Sequence, residues 1–305
     1  MQQFSNGVAV ITGGGSGLGK AFSMYAAARG MKIVLADVQQ DALDATVSEL
    51  RASGAQAIGV RTDVSNAADV QALADAAMST YEKVNLLFNN AGVTAGGVVW
   101  ENTEKDWNWL LGVNLHGVIH GLRIFTPLML KSAASDPDYE GHIVNTASMA
   151  GLLAGVASGI YSVSKHAVLA LSEALFQDLN LVSEQVHCSV LCPSYVPTGI
   201  GSSERNRPDS LSSNTPLTPS QRVAKELSQD AIVNGPVSAN RVAEITFEAI
   251  EKQRFYIYTH PDTLLAVRNR FDHIVDQQNP PLSFEGNPSR SARRTRLLDA
   301  LQQPA

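Results

Sequence analysis

Val8-Ala9-Val10-Ile11-Thr12-Gly13-Gly14-Gly15-Ser16-Gly17-Leu18-Gly19 is the stretch that decides the fold. A short apolar run of this kind predicts a buried strand, and it leads without a break into glycines. Lys20 to Arg29 is good helix material and stops at Gly30. Lys32-Ile33-Val34-Leu35-Ala36 predicts a second buried strand, and Asp37 ends it. Glycines let a backbone turn tightly and approach a pyrophosphate, and the helix start supplies free N–H groups and a positive dipole. Asp37 lies 18 residues beyond Gly19, near the offset for an acid that accepts from an adenosine ribose. The unit therefore predicts a dinucleotide site, with Gly13, Ser16, Gly17, Leu18, Gly19 and Asp37 on it.

The alternation continues outward from that unit. Helices are expected at about residues 40–53, 66–81, 104–130 and 158–182. Strands are expected at about 56–61, 86–88, 142–146 and 186–191. Repeated strand–helix units predict a parallel sheet with helices on both faces and right-handed crossovers. Ligands of such sheets bind at the carboxyl ends of the strands. The glycine turn, Asp37, Asp63, Asn90, Ser148 and Pro193 all fall at predicted strand ends. Beyond Pro193 the texture becomes rich in Ser, Pro, Asn and Arg, and an insertion over about 199–235 is a candidate lid. A helix at 237–253, a seventh strand at 255–258 and a helix at 261–277 follow. Residues 279–294 carry three prolines and predict a linker before a short or unordered end.

Tyr161-Ser162-Val163-Ser164-Lys165 holds the candidate chemistry. Residues four apart share a helix face, so a phenol and an ammonium point the same way. A free tyrosine titrates near pH ~10, and a close cation lowers that value. The spacing thus predicts a tyrosine that exchanges a proton near neutrality. Ser148, at the end of the fifth strand, offers a hydroxyl to the same substrate oxygen.

Composition narrows the rest. The chain has 305 residues, 44% hydrophobic and 17% charged, with a net charge of −6 and no long run of one sign. This balance argues against nucleic acid and anionic membranes as partners. Cys188 and Cys192 lie in or beside an apolar run, which predicts buried thiols rather than a disulfide framework. The seven histidines show no metal-binding spacing, and His116 and His120 predict packing, so no metal is expected. There is no signal-like start and no apolar run long enough to span a bilayer, so a cytoplasmic protein is expected. Trp107 and Trp100 are read as packing residues, Trp100 with a second reading at the pocket.

These motifs, in this order, resemble the short-chain dehydrogenases/reductases over about residues 5–260, leaving 261–305 as a C-terminal helical extension. The glycine motif runs Thr12 to Gly19. Asn89-Asn90-Ala91-Gly92 matches the segment that supports the sheet and the adenine side. Asn114, Ser148, Tyr161 and Lys165 match the family's catalytic set. Pro193 to Thr198 matches its nicotinamide segment, except that Ser194 replaces a glycine. The resemblance implies one doubly wound Rossmann-type domain with a seven-stranded parallel sheet, order 3-2-1-4-5-6-7. It implies Tyr161 as acid/base, Lys165 lowering its pKa and bonding the nicotinamide ribose, Ser148 positioning the substrate oxygen, and Asn114 holding a water that connects Lys165 to solvent. Asp63 and Val64 are placed by adenine, and Pro193, Val196 and Thr198 by nicotinamide. Asp37, with no adjacent Arg and Val38 after it, selects NAD over NADP. Met149 and Tyr195 are candidate substrate-pocket residues. The implied substrate is a secondary alcohol or ketone with apolar or aromatic bulk. Length, the Ser203-to-Pro208 stretch and the extension also look like bacterial relatives that oxidise benzylic alcohols of lignin-type aromatics. A homodimer or homotetramer is implied. The alternative is a dinucleotide-binding regulator without turnover.

Overall fold

The computed structural model describes residues 1–212, 215–282 and 288–302. Seven strands form one parallel sheet: β1 (Val8–Thr12), β2 (Lys32–Asp37), β3 (Ala57–Arg61), β4 (Leu86–Asn89), β5 (Gly141–Thr146), β6 (Val186–Cys192) and β7 (Tyr256–Tyr258). Their order is β3-β2-β1-β4-β5-β6-β7, as expected. The chain winds from β1 to one edge, then β4 returns to the far side of β1. That reversal opens a crevice at the carboxyl ends of β1 and β4, the usual ligand position in such sheets. The register puts Thr12 beside Ala36 and Ile11 beside Phe88, so the turns after β1, β2 and β4 come together.

Strand side chains alternate between faces, and the core divides accordingly. Val8, Val10 and Val34 belong to one apolar cluster, with residues of α3 (Ala67–Tyr81), α5 (Gly117–Ser135) and α6 (Gly159–Val182). Ala9, Ile11, Ile33 and Leu35 belong to the other, with α1 (Gly17–Ala28), α2 (Gln40–Ala52) and α8 (Ala239–Glu251). Both faces are covered, which explains why these strands read as unbroken apolar runs.

Two expectations change. The helix expected over 104–130 is interrupted: α4 (Glu104–Leu111) passes into a π-helical turn at Gly112–His116 before α5. Asn114 sits in that turn, fully buried. A π turn rotates side chains relative to an α-helix, a common device at functional sites. The linker expected at 279–294 is also revised. From Pro288 the chain is helical, α10 (Pro288–Leu301), because Leu297 and Ala300 bury a face against α7 (Pro219–Val233). Residues 283–287 of that span, and 303–305 of the expected tail, lie outside the described residues. Within the insertion, α7 starts at Pro219. Thr218 caps it in a reciprocal box with Gln221, with Pro219 at the first turn. α9 (Leu264–Val275) follows β7 through a short turn at Pro261–Thr263.

A candidate active site at the strand ends

The glycine turn is fixed by close backbone approach. A Cβ on Gly19 would lie 2.0 Å from the Gly13 carbonyl oxygen and 2.9 Å from Asn90 Nδ2. Gly13 has φ +65° and packs on Ala91, where a Cβ would meet Cα at 2.9 Å. Thr12 knits this turn to the β4 end. Its Oγ1 accepts from the N–H groups of Asn90 (2.9 Å) and Ala91 (3.0 Å), while Asn90 Nδ2 donates to the Thr12 carbonyl at 2.9 Å. Ser16 stands at the start of α1 but makes no side-chain cap. The first-turn N–H groups of α1 are therefore left for another acceptor.

Asp37 closes the next side. One carboxylate oxygen accepts from Gly15 N at 2.9 Å and the other from Gln39 N at 3.0 Å, which aims the carboxylate across the turn. Lys20, the single cation of the turn, is drawn away to Glu49 at 2.5 Å. Asp63 accepts from the backbone and hydroxyl of Ser65, and Val64 is buried against Gly117. Thr198 packs against Gly17, at 3.2 Å from the position its Cβ would take. Ser194 does not require a glycine, since its φ is not positive. Its N–H donates to His260 Nδ1 at 3.3 Å.

The other half gathers Asn114, Ser148, Tyr161 and Lys165. Ser148 Oγ accepts from Ala150 N at 3.1 Å and donates to the Pro193 carbonyl at 3.3 Å, so β5 and β6 ends are tied together. Lys165 Nζ is buried and donates to the Thr146 carbonyl at 2.8 Å. It lies 5.8 Å from the Tyr161 ring centroid. Asn114 spends its side chain on Val93 N (2.8 Å), Val93 O (3.0 Å) and Ser164 Oγ (3.1 Å). Gly92 lies between: a Cβ there would be 3.5 Å from Asn114 Oδ1 and 3.7 Å from Lys165 Nζ.

The electrostatics differ from the tyrosine expected near neutrality. Burial pushes the Tyr161 phenol up to about 12; a hydrogen bond with Ser148 pulls the other way, and nearby Tyr195 adds to the rise. Burial lowers Lys165 to about 8. The ammonium faces Thr146 rather than the phenol, so its field does not depress the tyrosine in this geometry. Cys188 and Cys192 are free and buried, as expected. Among the described residues no cluster of metal-binding side chains occurs, and no helix is long and apolar enough to cross a membrane.

One cavity of about 1460 Å³ runs from Gly13, Asp37 and Asp63 through Asn90 to Ser148, Tyr161, Lys165 and Tyr195, with Asn114 buried behind its wall. That exceeds the common range of about 300–1,000 Å³ for a single small-ligand site. It can hold a dinucleotide and a second molecule together. Val64, Ala91, Met149, Pro193, Val196 and Thr198 line it too, while Gly19 holds the turn from behind.

Several residues were not legible beforehand. Trp100 is 79% exposed and stands away from the cavity, whereas buried Trp109 lines it. The signal for Trp109 was present: Thr103-x-x-Asp106 is a capping box, and Asp106, Trp109, Leu110 and Asn114 then share one face. Arg207 stacks on Trp109 at 5.1 Å and pairs with Asp106 at 2.7 Å. Glu101 accepts from the hydroxyls of Thr218 and Ser220, the latter at 2.6 Å, and so ties the start of α7 to the β4 loop. No local pattern predicts these contacts.

Comparison with known proteins agrees with this geometry. The short chain dehydrogenase family model matches residues 7–209. A CLA biosynthesis dehydrogenase/reductase of Lactiplantibacillus plantarum is 32% identical over 92% of this chain and 97% of its own. A C alpha-dehydrogenase of a Sphingobium strain is 30% identical over 98% of this chain and 94% of its own. A crystal structure of a short chain dehydrogenase/reductase from Burkholderia phymatum in complex with NAD is 54% identical. It has a TM-score of 0.90 and covers 93% of this chain and 100% of that one. By sequence, strand order and site, the chain belongs to the short-chain dehydrogenase/reductase family of oxidoreductases.

Proposed function

We propose that the protein uses NAD to interconvert a secondary alcohol and its ketone, the substrate carrying apolar or aromatic bulk. One observation carries the reading. Ser148, Tyr161 and Lys165 meet on the wall of the cavity whose other end is the glycine turn and Asp37. The fit to a dinucleotide rests on the uncapped start of α1 and on the Gly13 and Gly17 backbones, both with positive φ. The Burkholderia relative binds NAD. Asp37 favours the same cofactor here, since its carboxylate would accept from ribose hydroxyls and repel a 2′-phosphate. Among the described residues no cation lines the cavity beside it.

NAD supplies the hydride-transfer chemistry. The chain's own task is to orient it and to move one proton. In oxidation the Tyr161 oxygen takes the alcohol proton, and in reduction it returns one to the ketone oxygen. Ser148 Oγ holds that oxygen in place. A phenol raised to about 12 is a weak acid at neutral pH, so Lys165 must turn from Thr146 toward the phenol for the proton to move readily. Both Nδ2 hydrogens of Asn114 go to the Val93 carbonyl and Ser164, and its Oδ1 accepts from Val93 N, so its side chain fixes the π turn beside Lys165. Met149 and Tyr195 stand at the substrate end.

Tyr161→Phe keeps the ring and removes the titrating oxygen. Alcohol oxidation, followed at the NADH absorbance over a panel of secondary alcohols, is expected to fall at least ~10²-fold with NAD binding retained. Unchanged turnover would remove Tyr161 from the role. Absence of turnover by the wild type across alcohols and ketones would favour a binding-only regulator.

Homo-oligomerisation and a cytoplasmic location belong to the same reading. α6 exposes Val163, Phe176, Leu181 and Val182, apolar surface suited to a two-fold contact. A monomeric mass by light scattering at micromolar concentration would contradict the oligomer.

A further inference from the structure

The lid and the extension bring cations to the cavity. Lys225 on α7, Arg270 on α9 and Arg293 on α10 come from three helices, and all line the cavity. None of the three forms an ion pair among the described residues. The acids at this end, Asp106 and Glu204, are both taken by Arg207, at 2.7 and 3.3 Å. Glu226, next to Lys225, is taken by Arg296 at 2.7 Å. This excess stands out in a chain of net charge −6. Arg270 and Arg293 are partly buried rather than spread into solvent. Leu153, Leu211, Leu217, Ala266, Leu282 and Leu297 give the same cavity apolar lining.

We infer that the substrate is an amphiphile: an apolar chain bearing the reacting alcohol or ketone, ended by a carboxylate that Arg270, Arg293 and Lys225 receive. This rests on the alcohol/ketone reading and specifies its substrate. A guanidinium presents paired donors that match a planar carboxylate, and two of the three cations are arginines. The apolar stretch places the anion away from the hydride acceptor, so the charge serves selection and approach rather than chemistry. The extension thereby has a function: it carries two of the three cations and, through Leu297, part of the apolar wall.

The test uses oxo-carboxylic acids from oxo-octanoate to oxo-octadecanoate, the methyl ester of each and the coenzyme A thioester of each. Dissociation constants come from calorimetry with the whole chain, and kcat/KM from NADH oxidation. The free acid is expected to bind about tenfold more tightly than its ester at low ionic strength, with the ratio shrinking as salt is added. Arg270→Gln with Arg293→Gln is expected to bring the acid-to-ester ratio close to one, and Arg→Lys at both positions to restore part of it. Equal binding of acid and ester by the wild type would overturn the inference. So would preference for the thioester, or a ratio that survives in the glutamine variant. Because the ratio is read from binding, it stands apart from turnover: esters reduced without acid preference would sink this inference alone, and binding without any turnover would sink the alcohol/ketone reading.

Discussion

Gly13 and Gly19 hold one end of the cavity by close approach of main chain to main chain, and the Thr12 and Asn90 side chains bond across it. Helix α7 holds the other through side chains that meet across 117 and 119 positions, Glu101 with Thr218 and Ser220. At the first end the constraint is a short distance between backbones. The Gly13 carbonyl that faces Gly19 has no rotamer by which to turn aside when an atom is added. At the second end hydroxyls, a carboxylate and an Arg296–Glu226 pair on the surface do the holding. Each of those contacts is made by side chains, which have other rotamers. A cavity with one rigid wall and one latched wall can fix a cofactor and still admit varied substrates.

The contrast breaks first at Gly19. The Cβ of Gly19→Ala would sit 2.0 Å from the Gly13 carbonyl oxygen, a backbone atom at the centre of the turn. Either the turn opens or α1 slides. Overpacking of this kind costs about 1–3 kcal/mol, and the backbone partner argues for the upper end. Urea unfolding is expected to show that loss, and calorimetry an NAD affinity reduced at least ~10-fold, about 1.4 kcal/mol. A variant with native stability and native NAD binding would mean that the turn is as adaptable as the lid, and the comparison would fail.

The same contrast explains which parts were legible in the sequence. A backbone constraint leaves a residue-type mark: a glycine where no Cβ fits, an acid at a strand end, Asn90 beside Thr12. The strand order was implied by the family resemblance that such motifs carry. Asn114 was found by its motif, but its π turn was not, because one additional residue in a helical turn barely alters the apolar period. Ser194 marks the converse case. A serine stands where a glycine was expected, and the non-positive φ shows that glycine's freedom is not needed there. Side-chain latches leave no such mark. Glu101, Arg207 and Arg293 are ordinary polar residues until folding brings Ser220, Trp109 and the cavity to them. The prolines of 279–294 predicted a linker because local propensity cannot see the apolar face of α7 that Leu297 covers. The acidity of the tyrosine follows the same division. Spacing gives the shared face of Tyr161 and Lys165, but not that Lys165 turns to the Thr146 carbonyl.

The smallest expected effect sharpens the comparison most. Glu101 receives two hydroxyls at the start of α7, where the helix dipole also favours a negative charge. Glu101→Gln preserves size and one acceptor oxygen but removes the charge. Thr218 can still cap α7 with Gln221, so the helix itself should persist. The loss is the attachment of the helix to the β4 loop, worth about 0.5–1 kcal/mol by the size of dipole and capping contributions. If α7 is a latched lid, that loss should appear in the substrate and not in the cofactor. KM for the substrate should rise about 2- to 5-fold, the factor this energy corresponds to, with NAD affinity and unfolding midpoint nearly unchanged. Gly19→Ala should do the reverse, weakening the cofactor first. Should Glu101→Gln instead weaken NAD as much as substrate, the two ends of the cavity would be one cooperative unit, and the division between a backbone wall and a latched wall would have to be abandoned.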